Sequence, residues 1–200
     1  MSSGKEMNIW QKSHRDYHIS KRKNPAEPDK RRQKMATITL KGNPVNTYGE
    51  LPVTGSFAPE FRLTAKDLTD KTMKDFEGRR LILNIFTSLD TSTCAMSVRR
   101  FNAEASNLEN TLVLCISRDL PFAQARFCGA EGLDKVITLS QMKDMNFGKD
   151  YGVEMVDGPL ASLFARSVVV TDETGKVIYT EQVPENSQEP DYDAALKALK

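Results

Sequence analysis

Leu81-Ile82-Leu83-Asn84-Ile85-Phe86 runs into Thr87-Ser88-Leu89-Asp90-Thr91-Ser92-Thr93-Cys94 and then into Ala95-Met96-Ser97-Val98-Arg99-Arg100-Phe101. The first six residues are nearly continuous apolar sequence rich in strand formers, the pattern of a central strand covered on both faces. Beyond the polar turn, Val98, Phe101, Ala105 and Leu108 recur at helical spacing, with Arg99, Arg100 and Glu104 opposite. That periodicity predicts an amphipathic helix over 92–108, with Cys94 at the head of its apolar stripe.

Working outward, 112–116 is a second buried strand. Asp119 is placed to cap the next helix and Pro121 to sit in its first turn; that helix runs towards Gly129 and carries Cys128 near its end. A third strand is expected over 136–139 and a helical turn over 146–151. Residues 167–170 and 177–179, joined by Asp172-Glu173-Thr174-Gly175, read as a hairpin. Tyr192, Ala195, Leu196 and Leu199 form a short amphipathic helix after Pro190. Upstream, 37–40 and 45–48 flank Lys41-Gly42-Asn43-Pro44 as another hairpin, 51–55 is a loop, and 61–65 is extended. Strands alternating with helices, then a hairpin and a last helix, give a mixed central sheet flanked by helices. This is a thioredoxin-like α/β sandwich with an N-terminal β-hairpin. Such a fold does not by itself set a function.

The 200 residues, 39% hydrophobic and 28% charged, suit one domain with a proper core. The formal charge of +1 hides an asymmetry: residues 1–34 hold ten Lys/Arg against four Asp/Glu, and residues 35–200 hold eighteen against twenty-three. The leading stretch also contains the only Trp (Trp10), both histidines (His14 and His18) and very few aliphatics. It is expected to be a basic, disordered extension ahead of a domain over 35–200. No apolar run is long enough to span a membrane and no secretory signal is visible, so a cytoplasmic protein is expected.

A domain starting near Met35 contains no histidine, which removes Ser/His/Asp triads, Cys/His dyads and His-ligated zinc. No metal and no cofactor are expected. Three cysteines remain, an odd number without a secretory context, so a structural disulfide framework is not indicated. Cys115 lies mid-strand between Leu114 and Ile116 and reads as a buried, inert thiol. Cys94, at the start of a helix, faces unsatisfied backbone N–H groups and the positive end of the helix dipole. Taking a thiol of pKa about 8.5 down to about 6 requires roughly 3.4 kcal/mol. The helix start supplies about 0.5 to 2 kcal/mol of that, so a reactive Cys94 requires a nearby arginine. The residues alone leave two readings of Cys94 open, a reactive thiol or a small side chain filling the head of the stripe. Cys128 sits where a Gly-bounded helix end can open locally.

The segment 84–94, continued by Ser97-Val98-Arg99-Arg100-Phe101-Asn102, resembles the active-site segment of the thiol peroxidase family, the atypical two-cysteine peroxiredoxins. The segment 119–133, Asp119-Leu120-Pro121-Phe122-Ala123-Gln124-Ala125-Arg126-Phe127-Cys128-Gly129-Ala130-Glu131-Gly132-Leu133, resembles that family's resolving-cysteine helix. The likeness runs from about residue 37 to the C-terminus. It implies an antioxidant enzyme that reduces hydrogen peroxide and alkyl hydroperoxides. Cys94 would be the peroxidatic thiolate that becomes a sulfenic acid, and Cys128 would condense with it in the same subunit to give a disulfide that thioredoxin reduces. The resemblance further implies that the Thr91 hydroxyl lies beside the sulfur and the peroxide, that Arg166 is the required cation, and that the protein is a homodimer.

One position departs from the family. It normally has proline seven residues before the peroxidatic cysteine, where this chain has Thr87. Threonine adds an N–H and a hydroxyl and is expected to admit water, so slower peroxide reduction is expected, which Thr87→Pro would reverse. A catalytically impaired thioredoxin-fold binding module is the alternative that Thr87 leaves open. A thioredoxin-type oxidoreductase is disfavoured because Thr91 stands where the first cysteine of Cys-x-x-Cys belongs, and a glutathione-peroxidase-like enzyme because the sole Trp lies in the extension. Residues 1–34 fall outside the likeness; the preferred account is a translation start upstream of a true initiator at Met35. Charge alone is weak warrant for a nucleic-acid arm, and Glu6, Asp16, Glu27 and Asp29 argue against a transit peptide.

Overall fold

A computed structural model describes residues 35–200; the expected basic extension 1–34 lies outside the described residues. The hairpin comes first, β1 (Thr37–Leu40) and β2 (Asn43–Asn46), paired antiparallel with Leu40 opposite Asn43. Its turn is only Lys41-Gly42, both at positive φ (51° and 78°), a combination whose twist matches the flanking strands. The second arm therefore starts earlier than the sequence suggests. Pro44 lies in the strand, which a two-stranded edge tolerates.

The main sheet has seven strands: β3 (Arg62–Ala65), β4 (Asp70–Thr72), β5 (Arg80–Ile85), β6 (Thr111–Ser117), β7 (Val136–Ser140), β8 (Ser167–Thr171) and β9 (Val177–Gln182). Their spatial order is β4-β3-β7-β6-β5-β8-β9. The central β5, β6 and β7 run parallel and their neighbours antiparallel. The helices are α1 (Ser92–Ala105), α2 (Pro121–Glu131), α3 (Phe147–Asp150) and α4 (Tyr192–Lys197). The thioredoxin-like mixed sheet is thus as expected. The short β4 and the 3-10 turn at Met73–Phe76 are additions, in a polar stretch that carries little hydrophobic pattern.

Alternation along the central strands builds two separate cores. Leu81, Leu83, Ile85, Leu114 and Ile116 face an aromatic layer of Phe61, Phe76, Phe147, Tyr151 and Phe164. Ile82, Phe86, Val113, Cys115, Val168 and Val170 face the other side, where Val98 and Phe101 of α1, Phe127 of α2 and Ala195 of α4 cover them. Phe101 is completely buried and meets Tyr192 of α4 edge to face, 5.1 Å between centroids. Removing a ring so placed costs about 3–5 kcal/mol. α1 ends at Ala105, short of the expected 108; in Ser106-Asn107 the side chains compete with helical bonding, yet Leu108 still packs against the core.

Candidate active site

Where β5 leaves the sheet, the chain must turn before α1 can begin, and Asp119 at the end of β6 shapes that turn. Its carboxylate accepts from Ser88 Oγ (2.7 Å), Leu89 N (2.8 Å) and Ser117 Oγ (2.8 Å). It is not the N-cap of α2, as its position before the helix suggests; Leu120 holds that place, with Pro121 in the first turn as expected. The Asp119 carboxylate takes three N–H and O–H donors from the β5–α1 turn and β6, and α2 has no side-chain cap bond.

Thr91 is the N-cap of α1, in extended conformation (φ −103°), which places Cys94 in the first helical turn. The Thr91 hydroxyl is exposed and donates to the Ser88 carbonyl (3.0 Å); among the described residues no hydrogen bond joins it to Cys94. Cys94 itself is completely buried. Its carbonyl accepts from Ser97 Oγ (2.9 Å), which in turn accepts from Asn84 Nδ2 (3.3 Å).

A cation stands beside the Cys94 sulfur. Arg166 immediately precedes β8, which pairs antiparallel with β5, Ser167 opposite Ile85, so its side chain starts next to the strand end that feeds the Cys94 turn. Although Arg166 is only 2% exposed, its Nη2 lies 3.3 Å from Cys94 Sγ. Its Nε donates to the Asn186 carbonyl (3.2 Å) and its backbone N–H to Asn186 Oδ1 (2.7 Å); Nη1 is buried without a partner. Among the described residues no carboxylate stands within ion-pair distance of Arg166. A guanidinium out of water without a counter-charge is costly, and a thiolate at Cys94 removes that cost.

Thr87 does not behave as its substitution suggests. It is 3% exposed; its hydroxyl donates to the Phe164 carbonyl (2.9 Å) and accepts from Asn186 Nδ2 (3.2 Å). The hydroxyl is used up by protein partners rather than opened to water. Asn186 is not among the expected site residues, and Pro184-Glu185-Asn186-Ser187 carries no signal in the sequence beyond that of a polar turn.

Cys128 lies on α2 and is half-buried; all three cysteines are free thiols here, so the structure does not join Cys128 to Cys94. Burial pushes the Cys128 thiol up, while Lys66 nearby pulls it down. α2 ends at Gly132 in the left-handed conformation (φ 67°), and the Leu133 N–H donates to the Cys128 carbonyl (2.9 Å). The first half of α2 is pinned by buried Gln124, which donates to Ser117 Oγ and to the Leu139 carbonyl (both 3.1 Å). The last turn is held from outside, by Arg99 paired to both oxygens of Glu131 (2.8 Å each).

The chain is similar to known proteins of one family. The Redoxin family matches residues 53–196. Thiol peroxidases of Mycobacterium bovis and Mycobacterium tuberculosis are each 54% identical over 165 residues, 82% of this chain and 99% of theirs. A peroxiredoxin-like protein from Aquifex aeolicus superposes with a TM-score of 0.77 at 36% identity, covering 82% of this chain and 96% of its own. Thiol peroxidase from Chromobacterium violaceum gives 0.76 at 22% identity, covering 82% and 94%, a likeness of fold. With a buried thiol at a helix start, a guanidinium on its sulfur and relatives of this closeness, the chain belongs to the redoxin family, among its thiol peroxidases.

Proposed function

We propose that Cys94 is the peroxidatic residue of a thioredoxin-dependent peroxidase acting on hydrogen peroxide and organic hydroperoxides. The single observation that carries the assignment is the buried guanidinium 3.3 Å from the Cys94 sulfur with no carboxylate to neutralise it among the described residues. The thiolate attacks the terminal oxygen of the hydroperoxide; the S–O bond forms as the O–O bond breaks, the sulfur takes the OH and becomes the sulfenic acid, and the departing alkoxide or hydroxide takes up from solvent the proton released when the thiol ionised, leaving as alcohol or water. Arg166 Nη1, buried and without a partner, is the donor available to the departing oxygen. Thr91, three residues before Cys94, contributes its hydroxyl to the peroxide after giving up the Ser88 carbonyl.

Cys128 then attacks the sulfenic sulfur, forming the intramolecular disulfide and releasing water. This requires the last turns of α2 to unwind and draw Phe127 off the core, while the first half stays pinned by Gln124. Thioredoxin restores both thiols by exchange. Such a reductant implies the reducing cytoplasm as location, and among the described residues no helix is long and apolar enough to cross a membrane. We further propose a homodimer, supported by the exposed apolar side chains of Met96, Leu120 and Phe122 at the starts of α1 and α2.

The test is intact mass and peptide mapping of the reduced protein after one equivalent of cumene hydroperoxide, without added thiol. Loss of two hydrogens with Cys94 linked to Cys128 in one chain is expected. A stable added oxygen on Cys94 would make it a one-cysteine enzyme, and no change would favour the binding module.

A further inference from the structure

We propose that Thr87 and Asn186 form a hydrogen-bonded relay that positions Arg166 on the Cys94 sulfur. The inference rests on the reading of Cys94 as the reacting thiol.

An arginine side chain has a long flexible stem, and holding it at 3.3 Å from a sulfur requires fixed partners. Buried arginines are ordinarily held by carboxylates, and among the described residues none is within reach. Asn186 takes that place from both ends: its carbonyl accepts from Nε and its side-chain oxygen accepts from the backbone N–H of the same arginine. Asn186 is itself only 3% exposed, and its backbone N–H donates to the Thr39 carbonyl (2.8 Å).

The direction of every bond in the relay is determined. Arg166 N–H can only donate, so the Asn186 amide must turn its oxygen there and its NH2 towards Thr87. The Thr87 hydroxyl has one proton, and that proton goes to the Phe164 carbonyl, leaving a lone pair for the Asn186 amide. Reversing the amide would set its NH2 against the Arg166 N–H, donor against donor. Thr87 thus locks the orientation of Asn186, and Asn186 locks Arg166. Proline has no hydroxyl and would leave Asn186 Nδ2 without this acceptor.

The same segment is tied to α1 and to the hairpin. Thr93 Oγ1, one residue before Cys94, donates to the Ser187 carbonyl (3.1 Å). Glu185 accepts from Lys41 N (2.9 Å), Gly42 N (3.0 Å) and Ser187 Oγ (2.5 Å). Thiol and guanidinium are therefore referenced to one short stretch of chain, which is what a defined distance between them demands.

The experiment compares Asn186→Ala, Thr87→Val, Thr87→Ser and the Thr87→Val/Asn186→Ala double variant, reading the pH profile of iodoacetamide alkylation at Cys94 by peptide mass. Loss of a well-placed cation moves such a profile to higher pH, by about one unit for Asn186→Ala and less for Thr87→Val. Thr87→Ser is expected to retain the wild-type profile, and the double variant to move no further than Asn186→Ala alone. A merely structural role would lower the melting temperature and leave the profile where it was; folded variants with an unmoved profile overturn the proposal. If Asn186→Ala fails to fold, the valine and serine variants at position 87 decide it. Oxidation of wild-type Cys94 by cumene hydroperoxide is scored separately: its absence sinks the functional reading, whereas normal oxidation with unmoved profiles sinks only the relay. Thr87→Pro is expected to lower the peroxide rate constant, contrary to the expectation from sequence.

Discussion

Two cysteines of this protein are equally hidden from solvent and chemically opposite. Cys115, in the middle of β6, and Cys94, in the first turn of α1, are both fully buried and belong to the same helix-covered core. The nearest polar partner of Cys115 is Asn84 Nδ2 at 3.7 Å, and burial pushes its thiol up to about 12, so it stays protonated and unreactive. Cys94 has a helix start beneath it and a guanidinium at 3.3 Å. Both sulfurs lie out of water, and of the two only Cys94 has a buried guanidinium beside it. On the proposed reading of Cys94, the reacting thiol is the one with a charge partner, irrespective of exposure.

The comparison breaks first if the wrong thiol turns out to matter. Cys94→Ser is expected to abolish hydroperoxide reduction, whereas Cys115→Ala should leave the stopped-flow rate constant within about twofold and cost about 1 kcal/mol in urea unfolding. Arg166→Gln comes next. Removing the cation should lower the second-order rate with peroxide by about tenfold to a thousandfold and move Cys94 alkylation to higher pH, while Cys115 remains unmodified in the folded protein.

The smallest expected effect concerns the segment that supports Arg166. Hydrogen bonds from Ser187 Oγ, then from the Gly42 and Lys41 N–H groups, hold the Glu185 carboxyl well below the usual carboxylate range. A carboxyl lowered in the folded state stabilises the protein at pH above its unfolded value, about 4.3, and that contribution disappears as the pH falls through the folded value. Glu185→Gln should therefore melt below wild type at pH 7, with the gap closing in acid below the usual carboxylate range. A gap of equal size at pH 7 and at about pH 2.5 would remove the charge from the account.

Elements with a strong hydrophobic period are legible in the order of residues alone. The β5 run Leu81-Ile82-Leu83, the stripe of Val98 and Phe101 and the buried β6 emerge where expected because burial on both faces, or on one helical face, leaves an unambiguous pattern. β4 is not legible, since Asp70-Lys71-Thr72 is polar and pairs only at the sheet edge. The hairpin register differs from the expected one because a Lys-Gly turn at positive φ, rather than the proline two residues on, sets it. Of the candidate site, Cys94 can be placed at a helix start by its distance from the stripe. The demand for an arginine follows from electrostatics, and its identity as Arg166 from family likeness.

Asp119, Thr87 and Asn186 show where such reading stops. Asp119 stands where a cap belongs and instead organises the turn ahead of a different helix; Asn186 lies in a polar turn with nothing to distinguish it from its neighbours. Their roles depend on partners 30, 31, 20 and 99 residues away along the chain. Local pattern and residue type suffice for the strands and helices of the core, for the absence of histidine chemistry from residues 35–200 and for the family. They do not say how closely the cation approaches the thiol or what holds it there. Those follow from hydrogen-bond direction and from a buried charge without a carboxylate, which are properties of the space between segments that lie far apart along the chain and meet only when it folds.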